Sequence, residues 1–347
     1  MRVAVVNTHV PFTMGGAEAH ADNLVKALED CGHEVELVKI PFNWQSPWSV
    51  MDHLLATRMF DLERVNGKVI DRVIGLRFPA YHVRHPNKVL WIIHQYRSAF
   101  DFWEDPKADL AQQEGGRAVR DAIRSSERKL LAEAKAIYAN SDNVRKRLHD
   151  FCLREAETLY HPPALADVLK PGEDSGYFLC PGRLDSMKRQ DFVLQALAKC
   201  KQSISLKFVG STGSEKYAKD LIQSARRLKV ADCIEWCGYV SKEELSELYA
   251  HARAIVYAPQ DEDYGYVALE SQIAAKPVLT TDDSGGVLEF VNDSNGWVAS
   301  FNPEQFAENL DEAWSDPDKC KRLGEAGNAA YRSHDMTWAA VVDRLVS

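Results

Sequence analysis

The feature that most restricts the fold is an alternation of short apolar runs with helical stretches, beginning at residue 2 and beginning again near residue 177. Residues 2–7 read as a buried strand, and 17–31 as a helix with Leu24, Val25 and Leu28 at helical spacing. Gly32 stops that helix and 34–40 is the next strand. This is a βαβ unit. Further strands are predicted at 72–76, 88–93 and 136–139, with helical stretches between. Pro162-Pro163 and the turn-rich polar segment 170–176 interrupt the pattern. Beyond them come strands at 177–180, 205–209, 233–236, 254–258 and 277–280, and helices at 190–200, 214–228 and 242–250. Two alternating runs predict an α/β chain of two Rossmann-like, doubly wound domains facing a central cleft.

Composition narrows the class. The 347 residues are 45% hydrophobic and 27% charged, as in ordinary globular proteins. No apolar run is long enough to cross a membrane, and the N-terminus enters a strand without a signal-peptide core. Seven scattered cysteines predict a reducing cytoplasm rather than a disulfide framework. Cys233 and Cys237 lack a nearby His pattern and read as buried small residues, not zinc ligands. The net charge of −9 argues against a nucleic-acid partner. Residues 1–166 are nearly balanced, so the negative excess lies in the second half. A basic stretch containing Arg117, Arg120, Arg124, Arg128, Lys129, Lys135 and Arg145-Lys146-Arg147 reads as a solvated helix face or as a contact for anionic lipid or an anionic acceptor.

The chemistry concentrates between Pro259 and Glu289. Glu262 and Glu270 are separated by seven residues, with Tyr264-Gly265-Tyr266 between them and Ser284-Gly285-Gly286 following. The pattern predicts a strand end, a glycine loop and a helix to about residue 275, with Glu262 before the helix and Glu270 about two turns away. The helix N-terminus between them is an anion site. Gly182-Arg183 and Lys188 follow an earlier strand and precede a helix. Arg189 competes with Lys188 for the same role but reads as solvated. Gly15-Gly16-Ala17-Glu18 opens the first helix, where paired glycines permit close backbone approach and positive φ.

This constellation resembles the E-x7-E motif of GT4-family retaining glycosyltransferases (glycosyltransferase group 1), which have the GT-B fold. The resemblance covers nearly the whole chain. It implies that Arg183 and Lys188 bind the donor diphosphate, whose charge builds as the sugar departs. It also implies that Glu270 holds ribose hydroxyls and Glu262 sugar hydroxyls. Backbone groups around Tyr264, Gly265 and Tyr266 would meet sugar and phosphate. Gly15 and Gly16 look like the family's glycine loop. His94, at a strand C-terminus, lies where the family often has a His near the donor sugar; His161 and His9 are weaker candidates. Gly210 resembles the turn near the nucleotide, and Gly238-Tyr239-Val240 the loop whose backbone meets the base.

The resemblance further implies domains at 1–166 for the acceptor and 167–331 for the donor, with a helix at 332–347 returning to the first. The activity implied is transfer of a hexose from a UDP- or GDP-linked donor to a glycan or glycolipid hydroxyl, with retention, in polysaccharide or lipopolysaccharide assembly. No protein nucleophile is nominated: the leaving phosphate takes the acceptor's proton. Asp261-Glu262-Asp263 has the D-x-D form of metal-binding glycosyltransferases but lies inside the longer motif, so no metal and no cofactor is expected. The expected location is cytoplasmic, with peripheral contact at the inner membrane face left open. Two departures blur sugar specificity. Tyr160-His161-Pro162-Pro163 stands where the family has Pro-Asn-Gly-Val, and the aromatic after Glu262 is displaced to Tyr264. The alternatives are a nucleotide-sugar epimerase of the same fold and a non-catalytic sugar-nucleotide-binding subunit.

Overall fold

Val3, Ala4, Val5 and Val6 are all buried because both faces of their strand are covered. In the computed structural model, which describes residues 1–12, 15–106, 108–334 and 336–347, Val3 and Val5 pack into one apolar cluster. Ala4 and Val6 pack into another. This is the period-two alternation of a strand sandwiched between helical layers.

The chain divides into two units, residues 1–164 with 336–347, and residues 165–335. Unit 1 contains β1 (Arg2–His9), α1 (Gly16–Asp30), β2 (Glu34–Pro41), α2 (Pro47–Met59), a hairpin of β3 (Arg64–Val65) and β4 (Lys68–Val69), β5 (Arg72–Arg77), β6 (Lys88–His94), α3 (Gly116–Leu130), β7 (Ala136–Ala139), α4 (Asp142–Cys152) and β8 (Glu157–Thr158). Its main sheet is parallel, in the order β2-β1-β5-β6-β7-β8.

Unit 2 contains β9 (Phe178–Pro181), α5 (Gln190–Leu197), β10 (Leu206–Val209), α6 (Glu215–Arg227), β11 (Ile234–Gly238), α7 (Lys242–His251), β12 (Ala254–Val256), α8 (Tyr266–Ile273), β13 (Val278–Thr281), β14 (Gly296–Ala299), α9 (Pro303–Ser315) and α10 (Pro317–Ser333). Its parallel sheet runs β11-β10-β9-β12-β13-β14, the doubly wound order in which the first strand is central and the chain reverses direction beside it. The expected GT-B fold class, two Rossmann-like parallel sheets, is what the chain has.

The last helix, α11 (Trp338–Val346), belongs to unit 1. Its Val341, Val342 and Leu345 join Leu24 and Trp91 in one core, and Arg72 Nη1 donates to the carbonyls of Leu345 and Ser347, 2.8 Å each. The expected start of this segment at 332 is corrected, since α10 continues through that position to Ser333. The helix predicted over 190–200 stops at Leu197. Strand β14 was not predicted; Gly296 there lies so close to Val278 that a Cβ would stand 2.3 Å from its carbonyl oxygen.

Candidate functional site

In unit 2 the order of the sheet reverses beside β9, with β10 on one side and β12 on the other, and ligands of open α/β sheets bind outside the strand C-termini at such a point. Gly182 and Arg183 follow β9, and Tyr257 follows β12. Gly210, which follows β10, has φ 146°, and a Cβ there would stand 2.2 Å from the Gly182 carbonyl oxygen. Only glycine permits that approach. Leu184 N–H donates to Ser211 O and Gly213 N–H to Leu184 O, so the Arg183 segment is laced to the loop after β10. The Arg183 guanidinium is half exposed and lies 3.2 Å from Asp185.

Lys188, Tyr257 and Glu262 form one cluster. Lys188 Nζ donates to Glu262 Oε2 and, at 3.0 Å, to the Tyr257 hydroxyl; that hydroxyl donates to the same Oε2 at 3.0 Å. Burial pulls the Lys188 pKa down, but the Glu262 carboxylate and the Tyr257 hydroxyl outweigh it and hold the ammonium protonated above the usual lysine range. Burial and Glu262 push Tyr257 up, so it stays a phenol able to donate. The sequence placed Lys188 and Glu262 on different parts of a donor; here each is the other's partner. Tyr257 was missed, because a Tyr at the end of an apolar run reads as core.

Arg189 is not solvated as expected. It is buried, pairs with Asp283 through two contacts at 2.8 and 2.9 Å, and stacks 4.0 Å from the centre of Phe301. Burial raises the Asp283 pKa, and Arg189 with Thr281 outweigh that and hold it below the usual range. Its φ of 52° turns the chain so that the neighbouring Lys188 faces Glu262 instead.

Gly265, at φ 91°, starts α8 without a side-chain cap. The Ser284-Gly285-Gly286 turn holds the loop before it. Glu262 N–H donates to Ser284 O at 3.1 Å, and Gly286 N–H donates to Glu262 O at 2.7 Å. A Cβ on Gly286 would stand 2.7 Å from Asp263 O, and Gly285 has φ 62°, so each position of the pair favours glycine. Glu270 is nearer the start of α8 than expected, since only the residues from Tyr266 onward are helical. Burial pushes its carboxyl up to about 7, and Tyr249, whose hydroxyl donates to Oε2 at 2.7 Å, partly offsets this. Tyr249 on α7 was also missed. The Tyr264 side chain is buried against Tyr266 and Phe290, so only its backbone suits a ligand.

Tyr239 is 83% exposed at the end of β11. Val240 lines a cavity of about 760 Å³ in unit 2, with Glu235, Glu243 and Glu247. That cavity shares only Val240 with the predicted residues, so the site is placed by its chemistry rather than by the size of a hollow. Among the described residues no group of three or more His, Cys, Asp or Glu side chains could hold a metal ion.

Gly15, Gly16 and His94 belong to unit 1. Gly15 has φ −162° and Gly16 starts α1, so the expected positive φ is not used by either. Thr13 and Met14 of the same loop lie outside the described residues. Glu18, in the first turn of α1, pairs with Arg77 at 2.9 Å, both largely shielded from solvent. Arg77 ends β5 and stands in register with His94, which ends β6 and whose Nδ1 lies 2.8 Å from Gln95 O. Arg77 was missed because nothing in its local sequence marks it. His161 is in no open site. It is buried in an aromatic cluster with Trp91 and Trp338, its Nε2 lies 2.9 Å from His20 Nδ1, and burial pushes it well below the usual range.

Comparison with known proteins gives likenesses in sequence and in fold. Residues 164–330 match the family model of glycosyl transferases group 1. The chain is 26% identical over 238 residues to a D-inositol 3-phosphate glycosyltransferase of Streptomyces bingchenggensis, covering 61% of this chain and 52% of the relative. It spans about half the length of the curated relatives of that kind. Among solved structures, a sucrose-phosphate synthase of Thermosynechococcus elongatus superposes with a TM-score of 0.77 at 15% identity, covering 99% of this chain and 97% of the other. WaaG, a glycosyltransferase involved in lipopolysaccharide biosynthesis, superposes with a TM-score of 0.71 at 18% identity, covering 99% of each chain. These two likenesses concern the fold. The stretch matched to the glycosyl transferases group 1, residues 164–330, carries Arg183, Lys188, Glu262 and Glu270.

Proposed function

We propose that the chain is a retaining, metal-independent hexosyltransferase that moves a hexose from a UDP- or GDP-sugar to a hydroxyl of a glycan or glycolipid. The observation that carries this reading is the Lys188–Tyr257–Glu262 cluster at the reversal point of the unit 2 sheet, with Arg183 on the adjoining loop. Lys188 leaves Glu262 for the donor diphosphate, and Glu262 then accepts from sugar hydroxyls. Arg183 and Lys188 stabilise the charge that develops as the bond from the anomeric carbon to the diphosphate breaks, the electrostatic task a metal performs elsewhere. The acceptor oxygen bonds to that carbon on the same face, and its proton passes to the departing phosphate oxygen. Glu270, when ionised, accepts from the ribose hydroxyls. His94, Gly15 and Gly16, which sit at or just beyond strand C-termini of unit 1, act toward the donor.

Residues 1–166 would serve the acceptor and 167–331 the donor. A role in lipopolysaccharide or polysaccharide assembly is supported by the fold likeness to WaaG. Peripheral contact with an anionic membrane is supported by α2, which exposes Trp48, Leu55 and Met59, and by exposed Arg117, Arg128 and Lys129 on α3, which packs against it. No helix among the described residues is long and apolar enough to cross a membrane.

The test is a thermal-shift panel of nucleoside diphosphates and their sugars, with and without EDTA, repeated on Arg183→Ala and Glu270→Ala. Stabilisation by one base that survives EDTA and disappears in both variants is the expected result. No stabilisation by any nucleotide would sink the reading.

A further inference from the structure

Unit 1 has a second hollow that the donor chemistry does not use. It measures about 330 Å³, at the small end of ligand pockets, and lies past the C-terminal ends of β1 and β2. Phe42 forms its base. Its N–H donates to His9 O at 2.9 Å, which ties the segment after β2 to the end of β1. Three rings brace Phe42: Phe78 at 6.0 Å, Tyr96 at 6.1 Å and His53 at 5.6 Å, all near edge-to-face. Trp44 is inclined 32° to Phe42 with ring centres 6.2 Å apart, and it is 40% exposed although Phe42 is nearly buried. Asn43 and Gln45 flank it, and Asn43 Oδ1 accepts from Gln45 N–H at 2.9 Å, which orients the Asn43 amide.

We infer that this hollow is a subsite for an uncharged pyranose ring of the acceptor, with Trp44 as the stacking platform. The inference rests on the transferase reading and deepens it. A pyranose presents one face of C–H groups and a rim of hydroxyls. A rigid indole covers the first at low entropic cost, and planar amides and an imidazole hydrogen-bond the second. The described lining contains no Lys, Arg, Asp or Glu. A phosphate or carboxylate placed there would lose water with no lysine or arginine to meet it, which is costly. The ring seated here is therefore neutral, and any phosphate on the acceptor lies outside this hollow.

Saturation-transfer NMR tests the inference, with methyl α-glucoside, methyl α-galactoside, methyl α-mannoside and glucose 6-phosphate as probes. Wild-type protein should transfer saturation to the ring protons of at least one glycoside, and more weakly to glucose 6-phosphate. Trp44→Ala should lower the signal at least about fivefold, Trp44→Phe should keep part of it, and Phe60→Ala, which removes an exposed ring outside the hollow, should not change it. The donor thermal shift is measured on the same samples, where Trp44→Ala should retain it. A donor shift without any glycoside signal overturns the subsite alone, whereas no donor shift in the wild type overturns the transferase reading. A signal indifferent to Trp44→Ala, or stronger for glucose 6-phosphate, also overturns the subsite. So does a Trp44→Ala variant that loses binding to anionic vesicles while keeping its glycoside signal.

Discussion

The two units are built on six-stranded parallel sheets, yet their strand ends carry different chemistry. Past the unit 2 strands lie close-packed glycines, a lysine locked to a glutamate, and a carboxyl raised to about 7. Past the unit 1 strands lie an arginine–glutamate pair that pins a helix start and a hollow walled by rings and amides. One scaffold thus carries a part-buried lysine–glutamate cluster at one set of strand ends and, at the other, a hollow whose described lining holds no Lys, Arg, Asp or Glu. Loops, not strands, make the difference.

The largest effect should come from the charged end. Lys188→Ala should cut transfer by about 10²–10³-fold with a much smaller change in stability, by analogy with lost transition-state donors. Steady-state kinetics beside a melting curve checks this, and equal activity would erase the contrast between the two ends. Arg77→Ala strikes the other unit. It leaves Glu18 shielded and unpaired, so stability should fall by about 2–4 kcal/mol, below or near the cost of breaking a fully buried pair. Chemical denaturation reads the loss; donor stabilisation of unit 2 should persist.

The third prediction concerns pH. The folded pKa of Glu270 lies above its ordinary value of 4.5, at about 7, so the ionised form is the one that burial disfavours. Its burial costs no stability while both states are protonated, and costs progressively more as pH rises from about 4.5 through 7. Glu270→Gln should therefore raise the melting temperature at pH 8 more than at pH 4.5. Donor affinity runs the opposite way, because ribose hydroxyls donate to a carboxylate. Nucleotide binding should strengthen from pH 6 to pH 8, and the variant should lose that step in calorimetric titrations. The smallest effect belongs to Tyr257→Phe, which removes the hydroxyl's bond to Glu262 and the one it accepts from Lys188 while the Lys188–Glu262 pair remains. A stability loss of about 1 kcal/mol is expected, read as a small fall in melting temperature, with transfer reduced far less than in Lys188→Ala.

Much of this was legible from one dimension. Apolar runs and glycine stops located most strands of both sheets, because those signals are local. The Glu262 to Glu270 segment and the Gly182-Arg183 turn were legible as motifs because their residue spacing is local, although the partners Lys188, Tyr249 and Gly210 lie far off in the chain. Less was legible where partners are distant. Tyr257 and Tyr249 look like core aromatics until Lys188 and Glu270 are folded against them. Arg77 acquires meaning from Glu18, far earlier in the chain, and Arg189 from Asp283 and Phe301.

The sequence by itself determined the α/β class, the restart of the pattern after residue 176 and the identity of the charged residues, since periodicity and motif spacing do not depend on distant contacts. Only the tertiary structure decided that Lys188 rather than Arg189 faces Glu262, that Glu270 sits out of water beside Tyr249, and that the last helix completes the core of unit 1. The physical reason is common to all three. Burial and charge pairing depend on which surfaces meet, and residues far apart in sequence meet only once the strands have chosen their order.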